Sequence, residues 1–351
     1  MASMNSQEVL VYGAYGYTGR LIVEALRRRN VAPILAGRDR VQLESLAQQT
    51  NLPLRCFRQE ETHSHLDHVA VVINAAGPFA KTGGAMAADA LRAGSHYIDI
   101  SNEPDSLHAV MNLSNLATQQ ARVALPGMGF GTAASNCLLQ YILPHTHNPI
   151  EASILLVPGV AHRGDATRRT MLEGLRTGCG EFLNGKFVHL NGKQASRSRQ
   201  LPFGKLTMVS VPMGDAVAAF HSSGIQRIAA CIGIPLPPVL AGAALEFGRR
   251  LLSLGPVYRR MMRNQTNDAT ATHPVTDETI SRVWVTVRDT SGQEHEAWLE
   301  MGESYAFTAE STALAAVCLL GDIGKVGALT PAMAFGAAWL DGMEVTTHNL
   351  S

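Results

Sequence analysis

Disulfide chemistry is the first thing this chain lacks. Its 351 residues hold five cysteines, an odd number, at Cys56, Cys137, Cys179, Cys231 and Cys318. They are scattered and form no C-x-x-C pair, which argues against a disulfide framework or a zinc ribbon and fits a reducing, cytoplasmic compartment. An excess of charge of either sign is also missing. Lys and Arg together number 29, as do Asp and Glu, for a net charge of zero at pH 7. No basic stripe is long enough to hold a nucleic acid. Unbroken apolar runs of spanning length are absent too. Residues 228–245 are uncharged, but Pro235, Pro237 and Pro238 interrupt them, and a transmembrane helix needs about 20 apolar residues in a row. Residues 1–7 are short and polar and a strand follows at once, so no signal peptide is expected. His63, His65 and His68 lie in a polar connection with no cysteine or acid cluster beside them, so no metal site is expected.

What is present begins within the first forty residues. Glu8-Val-Leu-Val-Tyr12 reads as a strand, and Gly13-Ala-Tyr15-Gly16-Tyr17-Thr18-Gly19 as a glycine turn. A helix over 20–29 and a strand over 33–36 follow, and Gly37-Arg38-Asp39 closes the unit. This is how a Rossmann βαβ unit opens, although the spacing is G-x-x-G-x-x-G rather than the common G-x-G-x-x-G. Glycines let the backbone approach a pyrophosphate, and the helix N-terminus turns unpaired N–H groups and the positive end of its dipole toward it. A ribose with a free 2′-OH wants an acid at the end of the second strand. None precedes Arg38, whose guanidinium suits a 2′-phosphate, so NADP(H) is favoured over NAD(H). Asp39, one residue on, is the counter-argument.

Further along, 69–74 is a continuous apolar run, as expected of a central parallel strand. Small residues and a proline end it, in Asn74-Ala75-Ala76-Gly77-Pro78-Phe79. A helix over 84–93, a strand over 96–100, the turn Ser101-Asn102-Glu103, a helix near 106–120 and a strand over 122–125 complete the series. After Pro126 the pattern changes. Strands over 151–158, 186–190, 205–213, 281–289 and 294–301 read as an antiparallel sheet, with helices near 165–177 and 238–264 inserted and 264–278 an exposed loop. A helix over 306–320 returns to the first domain. The expected fold class is α/β: a Rossmann dinucleotide-binding domain (1–125 plus 306–351) with an inserted α+β substrate domain on a mixed or antiparallel sheet (126–305). The 238–264 helix carries Arg249, Arg250, Arg259, Arg260 and Arg263. It reads as a surface or dimer-interface helix, a flap over an apolar substrate, or an interfacial membrane contact.

Several stretches, taken in order, resemble the saccharopine dehydrogenase-like oxidoreductases, including the trans-acting enoyl reductases. These are Val11-Tyr-Gly-Ala-Tyr-Gly-Tyr-Thr-Gly19, Val72-Ile-Asn-Ala-Ala-Gly-Pro-Phe79, His96-Tyr-Ile-Asp-Ile-Ser-Asn-Glu103, Gly164-Asp-Ala-Thr167 with Met171-Leu-Glu-Gly-Leu-Arg-Thr-Gly178, Gly214-Asp-Ala216 with His221-Ser-Ser-Gly-Ile225, and Thr330-Pro-Ala-Met-Ala-Phe-Gly336. The resemblance covers nearly the whole chain. It implies a Rossmann domain binding NAD(P)(H), a substrate domain inserted before the C-terminal helices, and hydride chemistry at a C–N or C=C bond. The chain departs from the family where members often carry carboxylates. Those places read Gly131 and Asn136, which weakens any transfer of amino-acid specificity.

Hydride transfer needs a nicotinamide held against an electrophilic carbon, and a donor where negative charge develops. Tyr305, Tyr97, Glu103 and Asn136 are the candidate catalytic residues, with Asp99, His162 and His221 behind them. Each has a plainer reading: Tyr97 as core, Asp99 and Glu103 as turn caps, the histidines as structural. The candidate cofactor-binding residues are Gly13, Tyr15, Gly16, Tyr17, Thr18, Gly37, Arg38, Asn74, Ala75, Ala76, Gly77, Pro78, Phe79 and Ser101. The substrate is expected between 129–136, the second-domain sheet and Tyr305. None of the seven tyrosines has a lysine four residues on, which removes the Tyr-x-x-x-Lys chemistry of short-chain dehydrogenases. Cys137, Cys231 and Cys318 read as packing residues. The function expected is NADPH-dependent reduction of a C=C (enoyl) or C=N (imine) bond in a small to medium, partly apolar metabolite. The alternative is a catalytically silent NADP(H)-binding sensor or scaffold. A small-molecule substrate and a homodimer are the expected partners.

Overall fold

The computed structural model describes residues 8–159, 172, 174–263 and 280–350. The chain divides into two compact units, Met1–Ala133 with Ser304–Met343, and Ala134–Glu303 with Glu344–Ser351.

The first unit is built on a parallel sheet. Its strands are β1 (Glu8–Tyr12), β2 (Ile34–Gly37), β3 (Leu54–Cys56), β4 (Val69–Asn74), β5 (His96–Asp99), β6 (Val123–Leu125) and the later short strand Gly327–Ala328. Among the described residues the order across the sheet is Gly327–Ala328, β6, β5, β4, β1, β2, β3, every pair parallel. The chain reverses direction across the sheet between β1 and β4, and ligands of open α/β sheets bind at that switch point. β1 and β4 are apolar because both of their faces are covered; Val9, Leu10, Val11, Val71, Val72 and Ile73 are wholly buried. The helices are α1 (Tyr17–Arg28), α2 (Arg40–Thr50), α3 (Phe79–Arg92), α4 (Pro104–Met111) and α5 (Ser114–Gln119). The single helix expected near 106–120 is thus two. α3 begins at Phe79, five residues ahead of its expected start, because the turn after β4 is shorter than its small residues suggest.

The unit boundary falls within α6 (Phe130–Ile142). The second unit carries a mixed sheet. Its strands are β7 (Pro149–Val157), β8 (Gly180–Leu183), β9 (Lys186–His189), β10 (Ser196–Leu201), β11 (Gly204–Ser210), β12 (Arg227–Ile234), β13 (Ser281–Asp289), β14 (Glu294–Met301) and the final strand Val345–Leu350. The main path runs β10, β11, β12, β7, β13, β14, final strand, with β8 pairing β12 and β9. Only β12 and β7 are parallel among these pairs. Its helices include α7 (Gly214–Ser223), α8 (Pro238–Ser253) and α9 (Gly255–Arg263). Pro256 follows the break that divides the expected 238–264 helix in two. Of the helix expected over 165–177, only 172 and 174–177 are described.

Besides β3, β8, β10, α2, α7 and Gly327–Ala328, which the sequence did not signal, two more elements differ from expectation for clear reasons. β12 reads as an apolar run leading to a turn, because a strand buried between β11 and β7 has no alternation to betray it. Residues 345–350 pair antiparallel with β14 from Val345–Met301 to Leu350–Glu296, so the chain's last strand joins the second unit rather than the first. That strand completes an aromatic row. Trp284, Trp298 and His348 stand opposite one another on β13, β14 and the final strand. Their rings stack, with centroids 5.8 Å apart for the tryptophans and 4.0 Å for Trp298 on His348. Phe203 closes on both tryptophans. Trp298→Ala is expected to cost the second unit about 3–5 kcal/mol, because it empties the middle of the row. Denaturant unfolding followed by far-UV circular dichroism checks this, as a lower midpoint with an unchanged slope.

Candidate functional site

The glycine turn between β1 and α1 sets the geometry of the first unit's strand ends. Gly13 sits at φ +85°, and its N–H donates to the Ala36 carbonyl at 2.8 Å. A Cβ there would stand 2.9 Å from the Ala76 Cβ, so the turn passes directly against the end of β4. At Gly19 a Cβ would come within 2.1 Å of the Gly13 carbonyl oxygen. The α1 N-terminus has Gly16 as its cap residue and no side-chain cap. Its N–H groups and the dipole therefore present an anion-binding end. These backbone features, which any side chain would fill, fit a dinucleotide pyrophosphate. Tyr15 lies along Gly37, its Cε1 2.6 Å from where a Cβ would stand, and its carbonyl accepts from Arg20 Nε at 3.0 Å. Tyr15, Gly16, Tyr17 and Thr18 are half-buried.

At the end of β2, the two charged residues have different occupations. Asp39 caps α2: its Oδ1 accepts from the Gln42 N–H at 3.1 Å and its Oδ2 from Gln42 Nε2 at 3.1 Å. These bonds hold its carboxyl below the usual carboxylate range. Arg38 is exposed.

The loop after β4 is held from within. Asn74 is wholly buried; its Oδ1 accepts from the Ala76 N–H at 3.1 Å and its Nδ2 donates to the Tyr97 hydroxyl at 3.2 Å. Gln59 Nε2 donates to the Ala76 carbonyl at 3.3 Å. Ala75 and Ala76 are half-buried, Gly77 and Pro78 exposed, and Phe79 buried. After β5, Asp99 is sealed from solvent. Its Oδ1 accepts from the Ser101 N–H at 2.9 Å and the Gly127 N–H at 3.0 Å. Its Oδ2 is buried with no hydrogen-bond partner among the described residues. Burial pushes its carboxyl up to about 6, against the two amides and the nearby Tyr97 hydroxyl, which favour the charged form. Ser101 Oγ accepts from the Glu103 N–H at 3.1 Å, and Glu103 Oε2 from the Ala80 N–H at 2.7 Å.

The candidate catalytic residues thus fall in different settings. Tyr97 is fully enclosed, and burial raises its hydroxyl far above the ordinary tyrosine value. Glu103 is buried and spends one oxygen on the start of α3. Tyr305 opens α10 (Ser304–Leu320), half-buried, its ring edge-on to Tyr17 at 5.1 Å. Tyr305 therefore stands beside the glycine turn. Asn136 belongs to the second unit, wholly buried, with Nδ2 donating to Ser222 Oγ at 2.7 Å. His221 lies in the last turn of α7 against Phe220. His162 lies outside the described residues. Gln59 was not legible from the sequence, since a glutamine in a polar connection carries no local signal. Nor was the pairing of Ser135 with the buried Asp215, Oγ to Oδ1 at 2.8 Å.

A parallel sheet ordered 3-2-1-4-5-6 with an uncapped, glycine-lined turn at its switch point defines a Rossmann dinucleotide-binding fold. Residues 9–124 match the family described as Saccharopine dehydrogenase NADP binding domain. These residues, about a third of the chain, are an NADP-binding domain of the saccharopine dehydrogenase type, which makes a nicotinamide dinucleotide the cofactor this domain takes. The whole fold is similar to the apo histidine-tagged saccharopine dehydrogenase (L-Glu forming) from Saccharomyces cerevisiae, at TM-score 0.63 and 11% identity over 98% of this chain and 100% of that one. The amine dehydrogenase from Mycobacterium smegmatis is similar at TM-score 0.53 and 9% identity, covering 93% and 95% of the two chains. By sequence, the chain is 26% identical over 176 residues to the Lipid droplet localized protein of Caenorhabditis elegans. That match takes in 44% of this chain and 41% of its relative.

The Asp99 carboxyl makes stability depend on pH in a defined sense. Its folded value of about 6 stands above the ordinary 3.8. Between about pH 4 and pH 6 the folded chain keeps a proton that the unfolded chain has released, so stability falls as pH rises through that window. Below the window the loss is absent, and above it the loss is complete, at about 3 kcal/mol. Asp99→Asn keeps an oxygen for both amides. It is expected to flatten this slope and to raise stability at pH 7, as read by urea unfolding at a series of pH values.

Proposed function

We propose that the chain is an NADPH-dependent reductase acting on a C=C (enoyl) or C=N (imine) bond of a small to medium, partly apolar metabolite. The observation that carries the cofactor preference is the division of roles after β2. Asp39 is committed to the α2 cap, which removes the acid that would otherwise receive a ribose 2′-OH. Exposed Arg38 is left to fork onto a 2′-phosphate. The bound cofactor supplies the hydride. The backbone at Gly13, Gly16 and Gly19, with Tyr15, Tyr17 and Thr18, holds its pyrophosphate. Asn74 fixes the Ala75–Ala76 segment, and with Gly77, Pro78, Phe79 and Ser101 this segment lines the nicotinamide ribose.

Tyr305 is the donor this reading retains. Its side chain is half-buried next to the turn, whereas Tyr97 and Asn136 are wholly enclosed. A phenol placed there donates to the substrate atom on which negative charge develops. Gly131 and Asn136 offer no carboxylate for an amino group, which favours a substrate without a free amino acid moiety. The free thiols fit a cytoplasmic setting.

Two measurements test the reading. Calorimetric titration is expected to show NADPH binding that Arg38→Ala weakens by about tenfold to a hundredfold, with NADH little changed. Equal binding of the two nucleotides, unaffected by Arg38→Ala, overturns the preference. In steady-state assays with enoyl and imine acceptors, Tyr305→Phe is expected to lower kcat by about a hundredfold while NADPH affinity stays constant. NADPH that binds but is oxidised by no acceptor would instead assign the chain a sensor or scaffold role.

A further inference from the structure

α8 has two apolar faces, and only one of them is used by the fold. On the first, Ala241 and Leu245 pack into a cluster with Val209 and Ile232, and Leu252 is buried further along. The backbone of Gly242 lies against that of Gly192 on this side. On the second face, Leu240, Phe247, Leu251 and Leu254 are 57%, 68%, 39% and 55% exposed. Val239, at 71%, flanks them. Steps of seven and four residues keep Leu240, Phe247 and Leu251 on one side of the helix, and Leu254 follows at its C-cap, in a stripe about 21 Å long. Scattered exposed hydrophobics are ordinary, but a continuous apolar stripe on a helix needs a cover.

Charge indicates what that cover is. Between 236 and 263 the sequence holds five arginines and one acid, Glu246. Arg249 and Arg250 share that carboxylate, at 2.6 and 3.3 Å, and Arg259 stands exposed on α9. A symmetric contact with a second copy would bring this cationic rim against itself. An anionic lipid surface meets both needs at once, with acyl chains for the stripe and phosphates for the arginines. With 16 residues, α8 is too short to cross a bilayer, which takes about 20, and no helix among the described residues is long and apolar enough to do so.

We propose that α8 and α9 form a peripheral docking element for anionic lipid surfaces, with the Leu240–Phe247–Leu251–Leu254 stripe entering the acyl boundary. The test is flotation of the full chain with vesicles of phosphatidylcholine alone or with one-third phosphatidylglycerol. Light scattering measures the oligomeric state of the same samples. The expected result is binding to the anionic vesicles that falls about tenfold or more with Phe247→Asp. Arg259→Glu is expected to lower it about fivefold, and raising the salt to lower it further. Thermal melts of both variants confirm that they fold. Vesicle binding absent in the wild type, or unchanged by Phe247→Asp in a folded variant, overturns the proposal. So does an oligomer that Phe247→Asp dissolves while vesicles are ignored, which would assign the stripe to a second copy of the chain.

Discussion

The first unit depends on one close approach, that of the Gly13 backbone to the Ala75–Ala76 segment. Neighbouring parallel strands bring their ends together, and side chains normally keep the following loops apart. Here the turn after β1 carries no side chain where it meets Ala76. The N–H of Ala75 can therefore donate to the Tyr12 carbonyl at 2.9 Å, extending the β1–β4 ladder past the strands themselves. The same absence lets α1 begin immediately over Gly13, with Gly19 pressed against its carbonyl. An uncapped helix start lined by backbone alone follows from this packing, without any charged side chain being buried to make it.

The other strand ends are held differently. Asn74, Tyr97, Asp99, Ser101 and Glu103 form a chain of buried polar groups, and most of their hydrogen bonds go to loop amides. These residues were attractive as chemical participants because their types can do chemistry. Their burial shows where their bonding capacity goes: it shapes the loops on which the exposed groups sit. A buried acid that satisfies two amides with one oxygen and leaves the other unpartnered lowers stability at neutral pH, and the loop geometry it fixes is the compensation.

The Rossmann opening and the strands β1, β2, β4, β5 and β6 were legible because their signals are local, whereas β3 and Gly327–Ala328 were too short to give one. A glycine turn, an apolar run and an Arg after a strand can each be read within about ten residues. The second unit was less legible. β12 is buried on both faces and lacks alternation, and β8 and the final strand are short segments whose identity as strands depends on partners far away in sequence. The role of Asp39 was ambiguous for a related reason. An acid two residues past a strand serves a ribose or a helix cap equally well on paper, and only the Gln42 bonds decide between them.

The chain's three tryptophans are divided unequally between the units. Trp339 belongs to the first, where its indole N–H donates to Ser311 Oγ at 3.3 Å. Trp284 and Trp298 belong to the second, their planes only 13° apart. Two near-parallel indoles at that separation couple their electronic transitions, while the lone indole does not. The second unit therefore holds a coupled indole pair, and the first a single indole stacked on Phe335. One molecule, without labels, reports optically on each half by itself.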